Sequence, residues 1–188
     1  MNIILFSRKQ VNHRTEQIVE MFQTIEKLGV DYSINEDFAV VVEQLTDICV
    51  RPERVYRERP SASDNDVMVA YGGDGTLLEA VQLLPSSSVP VVGINCGRLG
   101  YLTADNGNGI AELLERIARG NISYQRRDML RISGDVDCKE SPLALNEVAV
   151  HRGGATMISI QTYVDDNCIA TYHGDGLVVS TPTGSTAY

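Results

Sequence analysis

The sequence lacks closely paired cysteines. Cys49, Cys96, Cys138 and Cys168 are widely and irregularly spaced, with no C-x-x-C pair, so zinc-ribbon and thioredoxin-like readings have no support. A chain of 188 residues with 43% apolar residues can bury a core without disulfides, and reduced thiols in a cytosol are expected. Basic charge is also short. Sixteen Lys and Arg stand against twenty-five Asp and Glu, a formal net charge of -9. Nucleic acid and anionic membranes ask for a basic face, so neither is an expected partner. The largest basic cluster, Arg126 and Arg127 with Arg131, is too small to change that. Apolar runs are short as well. None approaches the ~20 residues of a membrane span, and Asn2–Phe6 is too brief for a signal-peptide core. A cytoplasmic protein is the expectation.

Glycine, in contrast, is concentrated where it carries chemical meaning. Gly72-Gly73-Asp74-Gly75-Thr76 follows the apolar run Val67–Tyr71, read as a buried strand, and precedes Leu77–Leu84, read as a helix. Glycines at such a junction let the backbone approach an anion, and the free N–H groups of a helix start point toward it. Asp74 is no phosphate ligand by charge. It is suited to accept a proton, orient a hydroxyl or hold a metal ion. The loop lacks the lysine of the mononucleotide P-loop and the third glycine of the dinucleotide fingerprint. On its own it also fits, less well, a tight strand-to-helix turn with an incidental aspartate.

The first half alternates. Ile3–Phe6 predicts a strand, Ile18, Met21, Phe22, Ile25 and Leu28 a helix stopped by Gly29, Asp31–Asn35 a strand and Phe38–Leu45 a helix. Residues 51–66 are charged and aperiodic and read as a surface loop. Helix 76–84 and strand 89–95 continue the pattern, which argues for a parallel sheet with helices on its faces. Ligands of such sheets lie beyond the strands' carboxyl ends, where both 72–76 and 95–100 fall. Ile110–Arg119 is an amphipathic helix stopped by Gly120-Asn121. Beyond it, Met129–Ser133, Leu143–His151, Met157–Val164 and Ile169–Tyr172 are β-branched or alternating runs between turn residues. The expected fold class is therefore α/β, a parallel-sheet nucleotide-binding domain over 1–120 followed by an all-β, partly sandwich-like domain over 121–188.

Asn146-Glu147 interrupts the apolar run 143–150. In a strand one of the two must face an apolar side, which fits either an edge pair or bulge, or a ribose- or amide-binding pair. His173-Gly174-Asp175-Gly176 reads as a hairpin turn, Asp-Gly being a preferred hairpin dipeptide. His13 and His151 read as surface residues. Five hydroxyl residues in seven, Ser180–Thr186, form a loop rich in donors and acceptors and resemble the lead-in to a helix capped by Ser185 or Thr186.

Taken together, 72–76, Gly93–Leu102, Leu145-Asn146-Glu147, Asp175-Gly176-Leu177 and Ser180–Tyr188 resemble the NAD kinases in order and spacing, from about Val67 onward. The glycine loop is shared with diacylglycerol and sphingosine kinases and, in a variant form, with phosphofructokinases. Asn146-Glu147 with the Ser180–Tyr188 run points to the NAD kinase branch. The resemblance implies transfer of a phosphoryl group from ATP to the 2′-hydroxyl of the adenosine ribose of NAD, with magnesium. It implies that Asp74 is the catalytic carboxylate and that Gly72, Gly73 and Gly75 shape the phosphate loop. Tyr101 would lie against adenine, and Asn146 and Glu147 would hold the nicotinamide-side ribose and amide. Asp175, Thr186, Ala187 and Tyr188 would complete the NAD site. His173 and Glu79 stand where many relatives carry basic residues, near dinucleotide phosphates. The resemblance further implies a dimer or tetramer, and relatives continue beyond the Thr-Ala-Tyr stretch, so an N-terminal part of the family's length is expected. Two rivals remain open at this point: a lipid kinase of the diacylglycerol type, and a non-catalytic sensor that binds NAD or NADP.

Overall fold

The computed structural model describes residues 1–84, 88–97, 100–103, 109–136 and 141–187. In chain order the first half holds β1 (Asn2–Phe6), α1 (Thr15–Leu28), β2 (Asp31–Asn35), α2 (Glu36–Leu45), β3 (Val55–Tyr56), β4 (Val67–Tyr71), α3 (Asp74–Leu83), β5 (Val91–Ile94) and α4 (Ile110–Ala118). The chain divides into two units, Met1–Gln125 and Arg126–Tyr188.

In the first unit, Ile3, Ile4 and Leu5 of β1 and Met68, Val69 and Tyr71 of β4 are fully buried. Strands apolar on both faces belong at the centre of a sheet covered on both sides. They stand there: the order is β3-β2-β1-β4-β5, every pairing is parallel, and β1 lies against β4 with Ile3 opposite Val67. Each fully buried Ile, Leu or Met side chain contributes about 1.5–3 kcal/mol. Helix α1 turns Ile18, Met21, Phe22 and Ile25 inward and ends where Gly29 takes the left-handed conformation at φ 61°. Helix α4 buries Ile110, Leu114 and Ile117 and is tied to α1 by the Lys27–Glu115 ion pair at 3.3 Å.

Two expectations shift. The stretch 51–66 is not all loop. It contains a 3-10 turn at Pro52–Arg54 and the edge strand β3, whose two residues pair with Ile34 and Asn35. A two-residue strand is too short to leave a periodic signature. Helix α3 begins at Asp74 rather than after Thr76, because the Gly73 carbonyl already accepts the Thr76 and Leu77 N–H groups at 2.9 and 3.2 Å.

The second unit is all β: β6 (Leu130–Arg131), β7 (Leu143–Ala144), β8 (Glu147–His151), β9 (Ile158–Val164), β10 (Asn167–Gly174) and β11 (Gly176–Ser180). They form three antiparallel pairs, β6 with β7, β8 with β11, and β9 with β10. Asp165 and Asp166, at φ 47° and 64°, turn the β9–β10 hairpin, the positive-φ pair that such two-residue turns require. The run 143–151 is broken at Leu145-Asn146 into two strands. The 173–176 segment is not a hairpin turn. Strand β11 pairs with β8, Gly176 opposite His151, so Asp175 marks a change of partner. Gly176 lies so close to the Val150 carbonyl that a Cβ there would overlap it.

Candidate active site

The sheet reverses its order of growth between β1 and β4, the topological switch point at which open α/β sheets bind ligands. The glycine loop leaves the carboxyl end of β4 at that point. The Gly72 N–H donates to the Ile94 carbonyl at 2.8 Å and extends the sheet by one residue. A Cβ on Gly72 would overlap the Thr76 side chain, and one on Gly75 would meet the Arg8 guanidinium. Gly73 differs. Its backbone is extended (φ -97°, ψ -172°), and a Cβ there would meet nothing within 4 Å. Neither conformation nor packing within the described chain demands glycine at 73.

Asp74 sits in the first turn of α3, and its carboxylate reaches across to the loop after β5. Oδ2 accepts the Tyr101 N–H at 2.7 Å, and Oδ1 accepts the Leu102 and Thr103 N–H groups at 3.1 and 3.2 Å. A carboxylate has about four lone-pair sites, so among the described residues one on Oδ2 stays open for a further donor. A Cβ on Gly100 would overlap this carboxylate. The same loop is braced from inside: buried Asn95 donates through Nδ2 to Thr103 Oγ1 at 3.3 Å, and its Oδ1 accepts the Gly97 N–H at 2.8 Å. The Tyr101 ring, in contrast, is 71% exposed. Burial pushes the neighbouring Cys96 thiol up to about 11, which keeps it protonated and unreactive.

Sequence reasoning missed the turn after β1. Ser7 is fully buried. Its Oγ donates to the Tyr71 carbonyl at 2.6 Å and lies 2.9 Å from His13 Nε2. With its own proton directed to Tyr71, Oγ accepts from Nε2 in the tautomer that carries the proton there. Asn35 closes the other side, accepting the Ser7 N–H and donating to its carbonyl, both at 3.0 Å. His13 is thus half-buried rather than free on the surface. Its ring stacks on Phe38 at 5.8 Å between centroids, and burial lowers its pKa against a smaller opposing effect of the Val11 carbonyl. The available signal was a hydroxyl residue directly after four apolar strand positions.

In the second unit the hydroxyl-rich loop folds onto Asn146. The Thr181 N–H donates to the Asn146 carbonyl at 2.8 Å, and Thr181 Oγ1 donates to the Leu145 carbonyl at 2.6 Å. Thr181 Oγ1 also accepts the Gly184 N–H at 3.1 Å. Gly184 packs on the Asn146 backbone with no room for a Cβ. Asn146 Oδ1 is buried and has no hydrogen-bond partner among the described residues; Glu147, at the start of β8, is partly buried. Such an orphaned acceptor costs about 1–3 kcal/mol unless something outside the chain satisfies it. Thr186, the last residue of a 3-10 turn at Gly184–Thr186 with no side-chain cap, and Ala187 after it are exposed. His173 is exposed on β10 opposite Ser159. Asp175 is exposed and pairs with Arg152 at 2.7 Å, a contact the sequence did not suggest. Tyr188 lies outside the described residues, as does Cys138, while Cys49, Cys96 and Cys168 are free thiols.

Comparison with known proteins agrees with the motif resemblance. Residues 4–122 match the model of the ATP-NAD kinase N-terminal domain, and residues 145–188 match that of the C-terminal domain. An NAD kinase of Bacteroides fragilis is 30% identical over 190 residues, covering 100% of this chain and 65% of the relative. An NAD kinase of Heliobacterium modesticaldum is 42% identical over 143 residues, covering 72% of this chain and 50% of the relative. The chain thus spans just under two thirds of the length of the first of these relatives and half of the second. The crystal structure of yeast NADH kinase complexed with NADH superposes with a TM-score of 0.71, at 22% identity, over 100% of this chain and 59% of that one, which shows the shared fold. Matched in both halves and in order, the chain belongs to the ATP-NAD kinase family.

Proposed function

We propose that this protein is an NAD kinase that transfers the γ-phosphoryl group of ATP to the 2′-hydroxyl of the adenosine ribose of NAD. The observation that carries the reading is the place of Asp74: a carboxylate in the family's glycine loop, at the sheet's switch point, with one lone-pair site of Oδ2 left open by the described residues. The 2′-hydroxyl donates to that site, which orients its oxygen for in-line attack, and Asp74 takes the proton late. Phosphoryl transfer passes through a loose transition state, so positioning and charge neutralisation outweigh base strength. Gly72, Gly73 and Gly75 form the phosphate loop, and the exposed Tyr101 ring is the adenine platform. Asn146 and Glu147 hold the nicotinamide-side ribose and amide, and the orphaned Asn146 Oδ1 supports that role. Asp175, Thr186, Ala187 and Tyr188 complete NAD binding, and His173 lies near its phosphates.

Among the described residues no three carboxylate, imidazole or thiolate groups converge. Magnesium keeps several waters and is bound largely through substrate phosphates; the open site of Asp74 goes to the 2′-hydroxyl, so the residues present fit an ion carried by ATP. When bound, it neutralises phosphate charge. The reading extends to a cytoplasmic homodimer or homotetramer, with 1–120 and 121–188 as its two domains. Among the described residues no helix is long and apolar enough to cross a membrane. The C-terminal family match over 145–188 favours this branch over a lipid kinase. The test is to incubate the intact gene product with ATP-magnesium and either NAD or diacylglycerol. NADP formation is expected. Phosphorylation of diacylglycerol alone, or of neither acceptor, refutes the reading.

A further inference from the structure

Arg8 leaves the sheet one residue after Ser7, whose hydrogen bonds to Tyr71 and Asn35 fix the backbone at that point. Its guanidinium covers the glycine loop. A Cβ on Gly75 would come within 2.8 Å of Nη2, and Nε donates to Thr76 Oγ1 at 3.4 Å. The same Nε lies 3.6 Å from Glu79 Oε2, both side chains about half exposed (46% and 48%). A long, half-exposed ion pair of this kind contributes little to stability. It does keep a cation beside a loop whose nearby carboxylates, Asp74 and Glu79, would otherwise repel an anion. Guanidinium presents a planar fork that matches phosphate oxygens two at a time, which an ammonium does not.

We propose that Arg8 is a phosphate-binding residue, its guanidinium turning from Glu79 to the polyphosphate of a nucleotide seated on the Gly72–Thr76 loop, with Glu79 as the internal competitor. The choice of nucleotide rests on the kinase reading above; the affinity for polyphosphate does not. The glycine at 75 is then explained as the position that lets the guanidinium lie against the loop. Both ATP and NAD carry suitable phosphates, and the experiment separates them.

Wild type, Arg8→Gln, Arg8→Lys and Glu79→Gln are compared in the full chain by two measurements. In the first, KM for ATP is measured at saturating NAD, and KM for NAD at saturating ATP. Arg8→Gln is expected to raise one of the two roughly ten-fold, the scale of a lost charge-assisted hydrogen bond, and the substrate whose KM moves is the one Arg8 holds. Arg8→Lys should recover part of the loss. Glu79→Gln should shift the same KM the other way, by about two- to five-fold, as expected for release of an exposed pair. Melting temperatures of all four proteins should agree closely. The second measurement titrates inorganic tripolyphosphate and pyrophosphate calorimetrically, with no turnover required. If the wild type makes no NADP, the kinase reading falls while this titration still decides on Arg8. Unchanged KM values together with equal polyphosphate binding by wild type and Arg8→Gln, or no binding by wild type, overturn the proposal.

Discussion

Asp74 holds the backbone of Tyr101: Oδ2 of the carboxylate accepts the Tyr101 N–H at 2.7 Å, and Oδ1 accepts the next two N–H groups. The proposed catalytic group is therefore also the anchor of the loop that carries the proposed adenine platform. Asp74→Asn does more than remove a proton acceptor, because one of its two polar atoms becomes a donor that must face backbone donors. We expect kcat to fall on the order of a hundred-fold or more, with faster amide exchange at 101–103. Gly100→Ala pushes on the same carboxylate and should lower kcat while leaving the melting temperature within a few degrees. Near-normal turnover in Asp74→Asn would remove this residue from the chemistry.

Gly73 separates folding from binding. Its extended backbone suits any residue and the space around it is open, so Gly73→Ala should leave stability unchanged or raise it by about 0.4–1 kcal/mol through the unfolded state. If phosphates press against this backbone, the added methyl should still weaken nucleotide binding several-fold. Paired melting curves and ATP and NAD titrations check this. A variant that binds both substrates like wild type would show that nothing approaches position 73.

The glycine loop, Asn146-Glu147 and the hydroxyl run were legible because each is local: residue types that make sense only at a junction stand side by side. The central strands were legible because burial on both faces leaves an unbroken apolar run. What escaped depends on contacts distant in sequence. Arg8 and Gly75 meet across 66 intervening positions, and Asp74 and Tyr101 across the whole α3–β5 connection. No periodicity encodes them. The half-burial of His13 escaped for the same reason, since it comes from Phe38 and Tyr71 rather than from its sequence neighbours. The partner of β11 was hidden because Gly-Asp-Gly suits a hairpin turn as well as a change of partner.

Asn146 offers a cleaner test than most binding residues. Its backbone carbonyl is used by Thr181, while its buried side-chain oxygen has no partner among the described residues. Removing an acceptor that the fold does not satisfy costs the fold little. Asn146→Ala should therefore keep the melting temperature close to wild type and raise KM for NAD about three- to ten-fold, the scale of one hydrogen bond, with KM for ATP unchanged. Thr181→Val should behave oppositely, because Oγ1 bridges the Leu145 carbonyl and the Gly184 N–H; it should lower stability first. Equal loss of NAD and ATP binding in Asn146→Ala, together with a lower melting temperature, would mark Asn146 as structural.

His13 makes the first unit sensitive to mild acid. Its imidazole is held below the ordinary 6.5 by burial among Ser7, Phe38 and Tyr71, against the smaller effect of the Val11 carbonyl. Between the lowered folded value and 6.5 the unfolded chain binds more protons than the folded one, so stability rises with pH across that window. The contribution is present in full above 6.5 and is lost as pH falls through the folded value. Each kcal/mol lost lowers the melting temperature of a chain this size by about 2–4 °C. Wild type should therefore melt at progressively lower temperature from pH 7.5 to 5.5. His13→Gln, which keeps a donor for Ser7 Oγ and cannot titrate, should show a shallower slope and approach wild type at the acid end. Parallel curves for the two proteins across that range would show that His13 protonation is not coupled to folding, and that the acid response comes from carboxylates elsewhere.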